Sequence, residues 1–181
     1  KSVLELKGYV ETIFDERRRQ PKDDLITRLV SVDGKVDSLT NDELFGMCVQ
    51  LLMAGHETSM SLISNGLLAL LRNYDQMEML RSNPELIETA VEEFLRYDSP
   101  IQHQTRVANQ DFEFHGKRIC EGQRVLLMLG AANRDPAQFK HPDKLDISRQ
   151  PNRHVGFGYG IHFCVGAPLA RLEGQVAINT I

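Results

Sequence analysis

Apolar residues recur at helical spacing from the first positions of the chain. Leu6, Val10, Ile13 and Phe14 fall on one face, and Pro21 ends that segment. Asp23 or Asp24 is placed to cap a short second helix carrying Leu25, Ile26, Leu29 and Val30, and Asp33-Gly34 reads as a turn. "TNDE" at 40–43 is a capping box: Thr40 bonds a free N–H at the helix start while Glu43 reaches back. From there to Arg72 the pattern predicts one long helix, about 45 Å at 1.5 Å per residue. It is apolar nearly all round, which predicts burial. Gln50 and His56-Glu57-Thr58-Ser59 interrupt its apolar runs well short of a membrane span.

Asn83-Pro84 opens a further helix with proline at its first position, and Leu86, Ile87, Ala90, Val91, Phe94 and Leu95 form its inner stripe. Beyond Pro100 the period changes. Residues 111–129 contain short extended runs broken at Gly116 and Gly122, which predicts a small antiparallel β element. Residues 130–160 predict a short helix near Asn133 and then a long ordered meander, a kind of loop that is uncommon unless functional. A last helix is expected to begin near Cys164, with Leu169, Leu172 and Val176 on one face and Pro168 tolerated in its first turn. The fold class is therefore mainly α with a small antiparallel β element. Residues 1–181 read as part of one domain without linkers or repeats, and both ends fall inside helical patterns as though cut.

Composition narrows the chemistry. The 181 residues are 41% hydrophobic and 25% charged, as in ordinary globular proteins. A formal charge of −4 argues against nucleic acid or an anionic membrane as partner. Cys48, Cys120 and Cys164 are widely spaced, with no Cys-x-x-Cys, so a disulfide framework or structural zinc site is not indicated and a reducing compartment fits.

One of those cysteines lies in an unusual setting, "FGYGIHFCVG" at 157–166. A helix start leaves N–H groups unpaired and favours a thiolate. Gly158, Gly160 and Gly166 keep side chains away from the sulfur, and Phe157 and Phe163 can shield it. Such a setting suits a thiolate ligand, of the kind that pushes electron density onto haem iron and favours O–O cleavage. A dinucleotide loop would need glycine where Phe163 stands. A nucleophilic cysteine with His162 or His154 as base would need access that the phenylalanines hinder. An inert cysteine in a tight turn remains open on the loop alone.

Two further stretches bear on the choice. "AGHET", Ala54 to Thr58, places Glu57 as the only formally charged residue between Glu43 and Arg72. A buried carboxylate costs several kcal/mol unless paired or neutralised. Gly55 lets a bulky group approach, and Thr58 can bond the carbonyl one turn back. Such a groove suits a small polar ligand and proton relay, or else Glu57 simply pairs with a distant arginine. Glu93 and Arg96, at i and i+3, would contribute a few tenths of a kcal/mol as a surface pair.

Taken in order, "AGHET", "EFLR" and "FGYGIHFCVG" resemble the three diagnostic motifs of the cytochrome P450 haem-thiolate monooxygenases, and "ANRDP" with Phe139, Pro142 and Asp146 resembles the family's meander. The resemblance covers essentially the whole chain and corresponds to roughly the C-terminal half of a soluble bacterial-type member. It implies that Cys164 is the axial ligand of haem b iron, with Phe157, Gly158, Ala54 and Gly55 against the haem. Glu57 and Thr58 would deliver protons for O–O cleavage. Arg106, His154 and His162 would hold the haem propionates. Glu93 and Arg96 would form a buried ion pair fixing the meander. Ser59 stands where the family often has a second threonine, and Arg149 is a candidate for the charge often found at the place of Lys144. The implied reaction inserts one oxygen atom of O2 into a small organic substrate, with NAD(P)H electrons passed on by a ferredoxin or flavodoxin. A cytoplasmic location is expected, and the segment alone is expected to bind haem weakly and to be inactive.

Overall fold

The computed structural model describes residues 2–31 and 39–181, so the turn expected at Asp33-Gly34 lies outside the described residues. The chain divides into two compact units, residues 1–54 and 55–181. In the first, α1 (Ser2–Arg19) and α2 (Leu25–Val30) bury Phe14, Val30 and Leu44. Asp24 is the residue that caps α2, accepting from the Thr27 N–H at 2.8 Å, and it also pairs with Arg17. The next helix, α3 (Asn41–Arg72), starts with the expected capping box: Glu43 accepts from the Thr40 N–H at 2.8 Å and its own N–H donates to Thr40 Oγ1 at 3.3 Å.

The second unit contains the rest of α3, then α4 (Tyr74–Ser82) and a 3-10 turn at Pro84–Leu86 that leads into α5 (Ile87–Tyr97). Helix α4 is an element the sequence pattern did not reveal. Its one deeply buried residue is Leu80, too little to create a clear apolar stripe. The expected stripe of α5 is the centre of the core: Ile87, Ala90, Val91, Phe94 and Leu95 pack with Leu62 and Leu70 of α3, Leu145 and Ile147 of the meander, and Ile178. Strands β1 (Gln104–Val107) and β4 (Arg124–Leu127) pair antiparallel, as do β2 (Phe112–Phe114) and β3 (Lys117–Ile119). Gly116 and Gly122 adopt φ of 73° and 80° in the reversals that precede β3 and β4. Helix α6 (Leu129–Ala132) precedes the meander, and α7 (Ala167–Thr180) closes the chain.

Two expectations about helix faces are corrected. Helix α3 is not buried all round: Leu51, Leu52, Met53, Met60 and Leu71 are exposed, because no described element covers them. On α7 the face of Leu169, Leu172 and Val176 also points outward, whereas Ala167, Gly174 and Ile178 turn inward. Gly174 allows this contact. A Cβ there would lie 3.2 Å from Leu62 and 3.3 Å from Val91, so α7 sits close against α3 and α5. Gly174→Val is expected to lower stability by about 1–3 kcal/mol through overpacking, measured by denaturant unfolding of the full-length protein.

Candidate functional site

Cys164 lies in the loop ahead of α7, and its thiol is free and exposed. Its N–H donates to the Phe157 carbonyl at 2.9 Å, and its carbonyl accepts from the Ala167 N–H. Gly158 and Gly160 take φ of 75° and 72°, which lets the chain double back so that residues 157 and 164 meet. Phe157 and Phe163 stand edge to face, with centroids 6.2 Å apart. A Cβ on Gly166 would come within 3.8 Å of the Cys164 Sγ, so one side of the sulfur is backbone rather than side chain.

Glu57 is exposed, contrary to its expected burial, and Thr58 is half-buried. A Cβ on Gly55 would meet nothing within 4 Å, so the groove surface there is open. The next residue, Ser59, donates to Glu173 Oε2 at 2.5 Å. That bond ties the polar stretch of α3 to α7, the helix that the cysteine loop leads into. Arg106 lies on β1 and His162 in a 3-10 turn at Gly160–His162, and both are exposed.

His154 is differently placed. Its side chain is only 3% exposed, with Nε2 3.1 Å from Glu92 Oε2. Its Nδ1 accepts from the Gly156 N–H at 3.1 Å. That acceptor role puts the ring proton on Nε2, facing Glu92. Both ring nitrogens are thus engaged within the chain, which leaves Arg106 and His162, of the three expected propionate partners, open to an anionic group. Gly156 is required here, because a Cβ would lie 2.9 Å from the Leu95 carbonyl and 3.2 Å from His154 Nδ1.

Glu92 also receives Arg171, whose Nε and Nη2 donate at 2.6 and 2.9 Å. Burial pushes its carboxyl up, but the hydrogen bonds from His154 and Arg171 outweigh burial and hold it at about 2. Its ionised form therefore contributes stability above the unfolded-state carboxyl range of about 4.3, and this is lost as pH falls through about 2. Glu92→Gln is expected to destabilise the full-length protein by about 1–2 kcal/mol at pH 7, a difference that closes toward pH 2. Thermal midpoints of the two proteins against pH check this.

Glu93 and Arg96 are fully buried rather than a surface pair. Arg96 donates twice to the Glu93 carboxylate at 2.7 and 2.8 Å, then to the carbonyls of Asn133, Pro142 and Lys144. Arg149 reaches Glu93 Oε2 at 3.0 Å and is the third member of the cluster. Asn152 and the Asp146 N–H complete the carboxylate's shell. Asn133 carries the order onward, donating to Ser99 and accepting from the Val155 N–H at 2.8 Å, just ahead of the cysteine loop. Sequence reasoning missed the roles of Asn133, Asn152, Glu92 and Arg171, whose partners lie 22 to 79 residues away.

The donor set discriminates between kinds of metal group. Among the described residues no group of three His, Cys, Asp or Glu side chains could hold an ion. A single accessible thiol beside uncovered apolar residues such as Phe163 and Val165 suits a metal that brings its own flat, apolar macrocycle. The residues present fit haem.

Comparison with known proteins agrees. The cytochrome P450 family model matches residues 3–85 and 80–181. The biotin biosynthesis cytochrome P450 of Bacillus subtilis is 48% identical over 179 residues, 99% of this chain and 45% of that protein. The vitamin D(3) 25-hydroxylase of Pseudonocardia autotrophica is 48% identical over 178 residues, 97% of this chain and 44% of that one. The chain thus spans less than half the length of these relatives. The crystal structure of P450BioI in complex with hexadec-9Z-enoic acid ligated acyl carrier protein superposes with a TM-score of 0.93 at 48% identity, over 98% of this chain and 46% of that one. That of CYP109E1 from Bacillus megaterium in complex with testosterone gives 0.95 at 39% identity, over 99% and 50%. With the motifs in order, the fold matched and the family model spanning nearly every residue, the chain belongs to the cytochrome P450 family.

Proposed function

We propose that this chain is the C-terminal part of a single haem-thiolate monooxygenase domain, acting on a small organic substrate. Members of the family bind haem b. The observation that carries the reading is the free, exposed Cys164 thiol, with its N–H held by the Phe157 carbonyl and its loop joined to α7. Bound haem would supply the activation of O2, by which one oxygen atom enters a C–H bond of the substrate and the other leaves as water, consuming two electrons and two protons.

The chain's own residues have narrower tasks. Cys164 would hold the iron through its thiolate. Gly55, where a Cβ would meet nothing within 4 Å, would give the macrocycle room. Arg106 and His162 would hold the propionates by hydrogen bonds from their N–H groups. Glu57 and Thr58 would hold and pass protons: the exposed carboxylate can exchange with solvent, and the half-buried hydroxyl can both donate and accept. No helix among the described residues is long and apolar enough to cross a membrane. A cytoplasmic enzyme supplied with NAD(P)H electrons by a ferredoxin or flavodoxin is the corresponding cellular reading.

The reduced, CO-bound full-length protein tests the ligand assignment. A strongly red-shifted Soret band is expected, and an unshifted, histidine-type band would refute it. Thr58→Ala is expected to uncouple reductant consumption from product by about 10- to 100-fold, in line with the usual worth of a positioned proton donor. Product and NAD(P)H measured together check this.

A further inference from the structure

Behind the cysteine loop lies a cluster that the motifs do not include. Arg171 stands one residue ahead of Leu172 on α7, with its guanidinium 4.7 Å from the centroid of the Phe157 ring. The Phe157 carbonyl is the acceptor for the Cys164 N–H. Arg171 is also gripped by Glu92 in a two-bond clamp, and Glu92 is itself held by the proton on His154. A continuous chain of contacts thus runs from an acid on α5, through a cation and an aromatic ring, to the backbone that cradles the sulfur.

We propose that Arg171, aimed by Glu92 and His154, is a positioning residue that sets the electrostatic potential at Cys164, so that the pair's positive end stabilises added negative charge on the iron–thiolate group. This rests on the reading of Cys164 as haem ligand. Arg171 is the member of the pair that stacks on Phe157, whose carbonyl takes the Cys164 N–H, whereas Glu92 bonds Arg171 and His154. Side-chain exposures of 33% and 27% mean that solvent screens the pair in part, so the effect is moderate rather than dominant.

Adding an electron to the ferric group adds one negative charge, and a nearby cation favours that state. In the haem-loaded full-length protein, Arg171→Gln is therefore expected to lower the reduction equilibrium about threefold to tenfold. For a one-electron couple this is a fall of ~30 to ~60 mV. Glu92→Gln keeps the shape and can still accept from His154, but leaves Arg171 uncompensated, so its potential is expected to rise. Arg171→Lys should restore most of the loss, and Arg81→Gln on α4, a surface cation paired with Glu78, should change nothing. Opposite signs for Arg171→Gln and Glu92→Gln, with the red-shifted CO band kept in both, support the proposal. Shifts of one sign in both variants, or none, overturn it and assign the cluster a purely structural part. If the unmodified protein lacks the red-shifted band, the ligand reading itself fails, and that outcome is seen before any variant is compared.

Discussion

Arg96→Leu is expected to cost the full-length protein about 3–5 kcal/mol, enough to leave most domains unfolded at 37 °C. Leucine supplies comparable bulk, so the loss is not a cavity effect. It would strand Glu93 with one fewer cation in a wholly buried place and would deprive the carbonyls of Asn133 and Pro142 of the Arg96 donors they accept. A charge removed from a buried pair costs more than the pair was worth, because its partner stays desolvated. Arg96→Lys should recover only part, since an ammonium cannot make the two-bond grip on Glu93 and reach the meander carbonyls together. Equilibrium unfolding of the three proteins in guanidinium checks the order. A cost below about 1 kcal/mol for Arg96→Leu would mean that the cluster is dispensable.

Cys164→Ser is expected to remove the red-shifted CO band altogether and to abolish oxygen insertion, a larger effect than the ~10- to 100-fold that loss of an outer partner costs at a metal site. A serine hydroxyl is neutral at pH 7 and a poor donor to iron, whereas the loop geometry does not depend on the sulfur: it is the backbone N–H of residue 164 that meets the Phe157 carbonyl. The variant's fold is therefore expected to survive while its spectrum changes. Absorption of the reduced, CO-bound variant and product assay with the unmodified protein as reference give the readout. Survival of the shifted band would show that another group holds the iron.

Much of the fold was legible in the chain because its determinants are local. The Thr40–Glu43 box, the stripe of α5 and the left-handed glycines at 116 and 122 each depend on residues within a turn or two. Helix α4 escaped notice because its burial is confined to Leu80, and β1 because its partner β4 lies about 20 residues on. The burial expected of α3 failed for another reason. Apolar periodicity shows that a face is able to be covered and not what covers it, and no described element covers Leu51, Leu52 or Met53.

The candidate site divides in the same way. The sequence alone carried the motifs: a lone cysteine among glycines and phenylalanines, an acid and hydroxyl interrupting an apolar helix, and an E-x-x-R pair, each a contiguous stretch whose order along the chain resembles the family's. Tertiary structure decided which side chains meet. It buried Glu93 with Arg96 and added Arg149, turned Glu57 outward, and engaged both nitrogens of His154 with Glu92 and Gly156 rather than leaving one for a propionate. It also brought Arg171 to Glu92 across 79 residues. Hydrogen bonds and ion pairs act over about 3 Å, and only the packing of α5 against α7 through Gly174 brings such distant residues within that reach.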